Sequence, residues 1–201
     1  MVDAPAVVLG LGLQHRAADV IDYTRCAAAG VEVVQRRAGG GAVLLDAHVL
    51  CCTVCVPLPN PCIPDDLTAS YQWLGEHFVS RLHALGIPDA RRVEVAAARA
   101  DVSALRARQD PLLASCYGAL SPHEVVAGQA KVVGLAQVRR RHAVLYQVGV
   151  LLEDQSRLAD LLNLPDPATR EAVRAGLRVR SVGLRQMGVS VDANELAERL
   201  G

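Results

Sequence analysis

"SPHEVVAGQAKVVGLAQVRRRHAVLYQVGVLLE", residues 121–153, is the stretch whose reading decides the fold. Apolar runs of strand length are interrupted at "AGQ" and at "RRRH", where turn-forming or charged residues cluster. The spacing predicts a three-stranded meander with turns at those two places. Its "RRRH" (139–142) then reads as an exposed hairpin turn rather than a nucleic-acid patch, since the formal net charge is zero. Within the meander stands Lys131, the single lysine among 21 Lys and Arg residues. A chain that uses Arg for every other cation keeps Lys most plausibly where a compact, mobile ammonium does what a planar guanidinium cannot. At the start of "KVVGLAQ" such an ammonium can neutralise an oxyanion or hold a carbonyl or phosphate oxygen beside an apolar cleft. On that reading Lys131→Arg folds normally and loses activity.

Upstream of the meander, "AVVLG" (6–10) and "VEVVQRR" (31–37) read as strands, with a helix "AADVIDYTRCAAAG" between them that stops at Gly30. "VLLDAHVLCCTVCVPL" (43–58) reads as one continuing strand, broken by Pro57, Pro59, Pro61 and Pro64. Apolar residues at Leu67, Tyr71, Leu74, Phe78, Leu82 and Leu85 predict an amphipathic helix, begun by Asp65 or Asp66 and ended by Gly86. "RRVEVAAA" (91–98) reads as a further strand. From Ser156 the pattern becomes helical. Strands and helices mix without strict alternation, so the expected class is α+β: a mixed sheet with packed helices, joining "VEVVQRR" to the meander. One domain spans 1–201, with a core over 1–153 and a small helical C-terminal segment over 154–201.

Composition limits the function classes. With 51% hydrophobic and 21% charged residues the chain is globular, and no apolar run reaches the ~20 residues of a membrane span. The N-terminus lacks the basic start and cleavage site of a signal peptide, so a cytoplasmic protein is expected, with its six cysteines as thiols. "CCTVC" has Cys-x-x-Cys spacing at Cys52 and Cys55, but a strand sends those two side chains to opposite faces. These cysteines, with Cys51, read as buried strand thiols rather than zinc ligands. "GLGLQ" (10–14) lacks the third glycine of a dinucleotide fingerprint, and "AGGGAVLL" lacks the Lys-Ser/Thr of a phosphate loop.

"QRRAGGGAV" (35–43) is more informative. Arg36 and Arg37 alternate sides of a strand, so one of them can face a ligand carboxylate or phosphate. Gly39, Gly40 and Gly41 then allow backbone N–H groups to approach the ligand. Cys116 stands in "SCYGALSPHE", a polar loop fifteen residues before Lys131. A loop thiol near a cation can act as a nucleophile, or it can be a half-buried thiol without a role.

Together, "VVQRRAGGGAVLLD", "SCYGALSPHEVVAGQAKVVGLAQVRRR" and "YQVGVLL" resemble the lipoate–protein ligase and octanoyltransferase family, which shares the catalytic fold of biotin–protein ligases. The order and rough spacing fit over residues 6–201. The resemblance implies that Arg36, Arg37, Gly39, Gly40, Gly41 and Ala42 line the acyl or acyl-adenylate pocket. It implies that Lys131 contacts the acyl carbonyl or the adenylate phosphate, and that Gly134 and Ala136 leave room for the ligand beside Gln147. Cys116 matches the nucleophilic cysteine of one octanoyltransferase branch. This chain departs from the family at Leu11, where an arginine is usual, and at Leu45, where a histidine is usual. It departs also at His48-Val49 for Gly-Asn and at Val148 for the histidine of Gln-His-Gly. The family's opening strand and helix are not represented, so either the start lies further upstream or the pocket is trimmed.

The implied activity is transfer of a lipoyl or octanoyl group to a lysine of lipoyl-domain acceptor proteins. A ligase route would use ATP with Mg, and lipoate or octanoate. A transferase route would use Cys116, an acyl carrier protein as donor and no cofactor. No structural metal, nucleic acid or membrane partner is expected. The alternative is a non-catalytic acyl-binding or accessory subunit of the same fold.

Overall fold

A computed structural model describes residues 5–10, 13, 16–189 and 193–200. Residues 11, 12 and 14, which hold most of "GLGLQ" and the departure at Leu11, lie outside the described residues, as do residues 1–4 of the N-terminal reading.

The meander forms as its spacing predicts. Strand β6 (Val125–Ala127), β7 (Ala130–Arg139) and β8 (Ala143–Leu151) pair antiparallel, with the two-residue turn Gly128–Gln129 and a second turn at 140–142. Two further strands extend it into an antiparallel sheet of order β4-β8-β7-β6-β5, where β4 is Val49–Pro57 and β5 is Ala90–Arg92. A smaller, mixed sheet lies apart. In it β1 (Ala6–Leu9) runs parallel to β2 (Glu32–Gln35) and antiparallel to β3 (Val43–Leu45). The fold class is therefore α+β with packed helices, but the expected single sheet is two. "VEVVQRR" belongs to the small sheet and "KVVGLAQ" to the large one.

The reason is a corner inside "VLLDAHVL", which the sequence reading took as continuous strand. The Asp46 carboxylate accepts a hydrogen bond from the His48 N–H at 2.9 Å, and the Asp46 carbonyl accepts from Val49 N at 3.2 Å. This Asx-type turn ends β3 in one sheet and starts β4 in the other. Arg157 pins the same carboxylate at 2.8 Å. Among the described residues β4 has β8 as its only strand neighbour and forms the edge of the large sheet, and Cys51, Cys52 and Cys55 are exposed rather than buried.

Two other local readings change. In "RRVEVAAA" only Arg91 and Arg92 are strand, as the end of β5; α4 runs Val95–Ala107, because the alanine-rich continuation favours helix over sheet. "AADVIDYTRCAAAG" splits into α1 (Ala17–Val20) and α2 (Tyr23–Ala28). Ile21 bridges to Leu162 there, and the Asp22 side chain caps α2 by accepting from Arg25 N at 3.0 Å. The amphipathic helix is α3 (Gln72–Ala84), entered through a 3₁₀ turn at Ala69–Tyr71 that Asp66 caps; Leu67 precedes it and is exposed.

Two main cores follow from the two sheets. One packs α3 and the C-terminal helix α6 (Ala193–Leu200) against the large sheet through Leu74, Phe78, Val133, Val150, Leu196 and Leu200. The other packs the small sheet against α5 (Pro167–Arg180) and the 3₁₀ segment Ser156–Asp160 through Val7, Leu9, Leu44, Leu158 and Leu177. The helical segment beyond residue 153 thus divides between both cores instead of standing beside them. Gln155 shows how closely it is joined: its buried side-chain amide bonds both the N–H and the C=O of Leu44, at 3.0 and 3.1 Å. Among the described residues no helix is long and apolar enough to cross a membrane.

Candidate active site

The glycine loop and the cysteine loop meet where the two sheets face each other. Ala42 N–H donates to the Ala114 carbonyl at 2.7 Å, and Cys116 N–H donates to the Ala42 carbonyl at 2.8 Å. The approach is close enough to demand glycine. A Cβ on Gly41 would fall 2.6–2.7 Å from atoms of Ala114, Ser115 and Cys116. Arg36, which leads into the loop, is half-buried. Its Nη2 donates to the Gly39 carbonyl at 2.8 Å and lies 3.8 Å from Cys116 Sγ. Arg37 points out and is exposed. Of the two arginines, therefore, Arg36 is the one brought to the thiol.

Two cavities adjoin at Cys116. The first, of ≈ 150 Å³, is walled by the small sheet (Val43, Leu45) and by the facing rows of the large sheet (Thr53, Ala136, Gln147, Gly149), with Arg36 at its edge. Its lining is mostly apolar, and Leu45 adds to that wall. The Oε1 atom of Gln147 is buried there without a hydrogen-bond partner among the described residues. The second cavity, of ≈ 230 Å³, lies across the thiol and is lined by Gly39, Gly40, Thr68, Tyr71, Ser121 and Glu124. Cys116, Leu135 and Ala136 border both. A thiol so placed can take an acyl group whose chain fills one cavity while a second reactant arrives through the other.

Gly134 and Gly149 pair across β7 and β8 beneath the first cavity. The space over them is occupied by the hydroxyl of Tyr117, which donates to the Gly149 carbonyl at 2.8 Å. Here Gly134 makes room for a protein side chain. Burial holds the Tyr117 phenol well above its ordinary pKa, so the hydroxyl stays a donor.

Lys131 lies elsewhere than the cleft edge expected of it. Its side chain is 0% exposed and borders neither cavity. Nζ is 2.6 Å from Glu124 Oε2 and donates to the Cys116 carbonyl at 2.7 Å, with the Tyr117 ring centroid 5.4 Å away. The ammonium therefore reaches the Cys116 peptide group rather than open space. Glu124, which sequence reasoning passed over, is 1% exposed and also accepts from Ser121 N at 2.7 Å. Burial raises its pKa, and the Lys131 charge opposes that rise. One signal was available: an acidic residue directly before the apolar strand "VVA", seven positions before the single lysine. Among the described residues no group of three or more His, Cys, Asp or Glu side chains is arranged to hold a metal ion.

Comparison with known proteins points to one family. The octanoyltransferase LipM of Kyrpidia tusciae is 33% identical over 194 residues, covering 96% of this chain and 68% of the relative. That of Exiguobacterium sibiricum is 34% identical over 190 residues, covering 94% and 67%. Among solved structures, the bipartite lipoate protein ligase of Thermoplasma acidophilum, studied with its E2 lipoyl domain, superposes with a TM-score of 0.74 at 23% identity. It covers 98% of this chain and 65% of that one, and a lipoate–protein ligase A bound with ATP superposes at 0.68 with 66% of its chain covered. The chain thus spans about two thirds of the length of these proteins. The family described as the lipoyl protein ligase A/B catalytic domain matches residues 1–201, and the chain belongs to that family.

Proposed function

We propose that the protein is an octanoyltransferase that works through a Cys116 thioester. The Cys116 sulfur attacks the carbonyl of an octanoyl thioester on a carrier protein, forming the acyl–enzyme and releasing the carrier thiol with its proton. The amine of a lysine on a lipoyl domain then attacks the acyl–enzyme, forming an amide and returning the thiol. The apolar first cavity holds the eight-carbon chain, and the second admits the donor arm and later the acceptor lysine. The observation that carries this reading is the position of Cys116 at the junction of two cavities, with its N–H held by Ala42 and its C=O by Lys131. The LipM relatives support it by their name.

The ligase route is supported less well by the side chains present. An adenylate phosphate and its Mg would need free cations and carboxylates on the second cavity. Lys131 is enclosed and paired, and the carboxylate there, Glu124, is already bound to Lys131 and Ser121.

Mass spectrometry after incubation with octanoyl carrier protein tests the proposal. The expected result is one octanoyl adduct on the Cys116 peptide, absent in Cys116→Ser and discharged by a lipoyl domain. ATP-dependent pyrophosphate release without that adduct would overturn it in favour of ligation. Octanoate binding without adduct or turnover would overturn it in favour of an accessory acyl-binding role.

A further inference from the structure

We propose that Glu124 is a positioning residue for Cys116, holding through Lys131 and Ser121 the loop that presents the thiol between the two cavities. The proposal rests on the acyl-transfer reading above and names a residue that reading does not use. One carboxylate reaches three parts of the site. Oε2 binds Lys131 Nζ at 2.6 Å, and Lys131 in turn holds the Cys116 carbonyl at 2.7 Å. The Ser121 N–H, further along the same loop, donates to Oε2 at 2.7 Å. Oε1 faces the N–H of Leu135 at 3.4 Å, on the strand that borders both cavities. The loop is thereby fastened at Cys116 and at Ser121 to a single group anchored on the sheet.

Stability alone does not call for these charges. Both side chains are out of water, and an apolar pair of similar volume is often as stable as a buried ion pair, or more so. What the pair supplies is direction. A charge-assisted bond to a main-chain carbonyl fixes the peptide of the nucleophile, which apolar packing would leave to slide.

The test is Glu124→Gln in the full chain, with two readouts. The first is kcat and KM for transfer from octanoyl carrier protein. The second is the rate at which iodoacetamide alkylates each cysteine, read peptide by peptide. Gln fills the same volume and can turn its oxygen to Lys131 and Ser121, but it takes the negative charge from the ammonium and sets its NH2 against the Leu135 N–H. The expected result is a kcat lower by about 10²-fold with KM unchanged, as a displacement of about 1 Å at a reacting atom produces. Cys116 alkylation should slow by about tenfold, while exposed Cys55 and Cys62 keep their rates and buried Cys26 stays unreactive. Wild-type kcat and Cys116 alkylation would overturn the proposal. So would gain of Cys26 reactivity in step with the loss, which marks a loosened fold. If Glu124→Gln does not fold, the double variant Glu124→Leu/Lys131→Met removes both charges at similar volume. It is expected to fold and to lose transfer, and a folded double variant with wild-type kcat overturns the proposal. The alkylation readout needs no acyl chemistry. A wild-type protein that never forms the Cys116 adduct sinks the acyl-transfer reading, and slowed Cys116 alkylation in Glu124→Gln still reports positioning.

Discussion

Gly134→Ala separates a glycine that makes room for a ligand from one that makes room for the protein. A Cβ at position 134 would lie 2.9 Å from Tyr117 Oη and 3.1 Å from its Cζ. The ring is held by its own contacts. Tyr117 is 2% exposed, its hydroxyl is bonded to the Gly149 carbonyl at 2.8 Å, and a Cβ on Gly149 would itself sit 2.7 Å from Oη. Overpacking of this kind costs about 1–3 kcal/mol, and displacing the hydroxyl forfeits a hydrogen bond worth about 1 kcal/mol. Urea denaturation should therefore show Gly134→Ala less stable by about 2–4 kcal/mol. Tyr117→Phe removes the atom in conflict. Combined with Gly134→Ala, it should give a loss smaller than the sum of the two single losses by at least about 1 kcal/mol. Octanoyl transfer should follow the same order, because Tyr117 adjoins Cys116. If the two effects add within about 0.5 kcal/mol, or if Gly134→Ala keeps wild-type stability and only raises KM, the wedge assigned to Tyr117 is refuted and a ligand-facing glycine is restored.

Four further substitutions test the charges around the thiol. Lys131→Met leaves the Glu124 carboxylate buried without its cation, a loss of about 3–5 kcal/mol near neutral pH. The Glu124 folded-state pKa is already raised, and removing Lys131 raises it further. The folded state then binds more protons than the unfolded state, and stability falls as pH rises above the unfolded carboxyl pKa of about 4.3. Melts from pH 4 to pH 8 should show the deficit growing with pH, and a deficit independent of pH would contradict the pairing. Lys131→Arg, read from sequence alone as neutral to the fold, must seat a longer planar group in a fully enclosed space and should also destabilise, by about 1–3 kcal/mol. Arg36→Ala should slow Cys116 alkylation several-fold with little change in melting, and Arg37→Ala should do neither, since only Arg36 reaches the thiol; equal effects would refute that assignment.

Much was legible in the sequence, because its signals are local. Alternation and turn residues between Ser121 and Glu153 specify a meander whichever elements pack on it, and three successive glycines announce a close backbone approach wherever it occurs. The resemblance rested on "QRRAGGGAV" and "SCYGALSPHEVVAGQAK", two loops that do meet in the fold. What the sequence could not decide depends on partners distant along the chain. "VLLDAHVL" has strand propensity throughout, and only the Asp46 turn, pinned by Arg157 from 111 residues away, sends its halves into different sheets. "VEVVQRR" pairs with "AVVLG" rather than with the meander, a choice between equally good strands that pattern cannot make. The same limit applies at the site. Composition marked Lys131 as unusual, but whether its ammonium faced a cleft or a carboxylate turned on Glu124 being enclosed with it against the loop that runs from Cys116 to Ser121. Burial and pairing belong to the assembled layers, so the residues of the site could be named from their order, while what each one touches was settled only when the two sheets met.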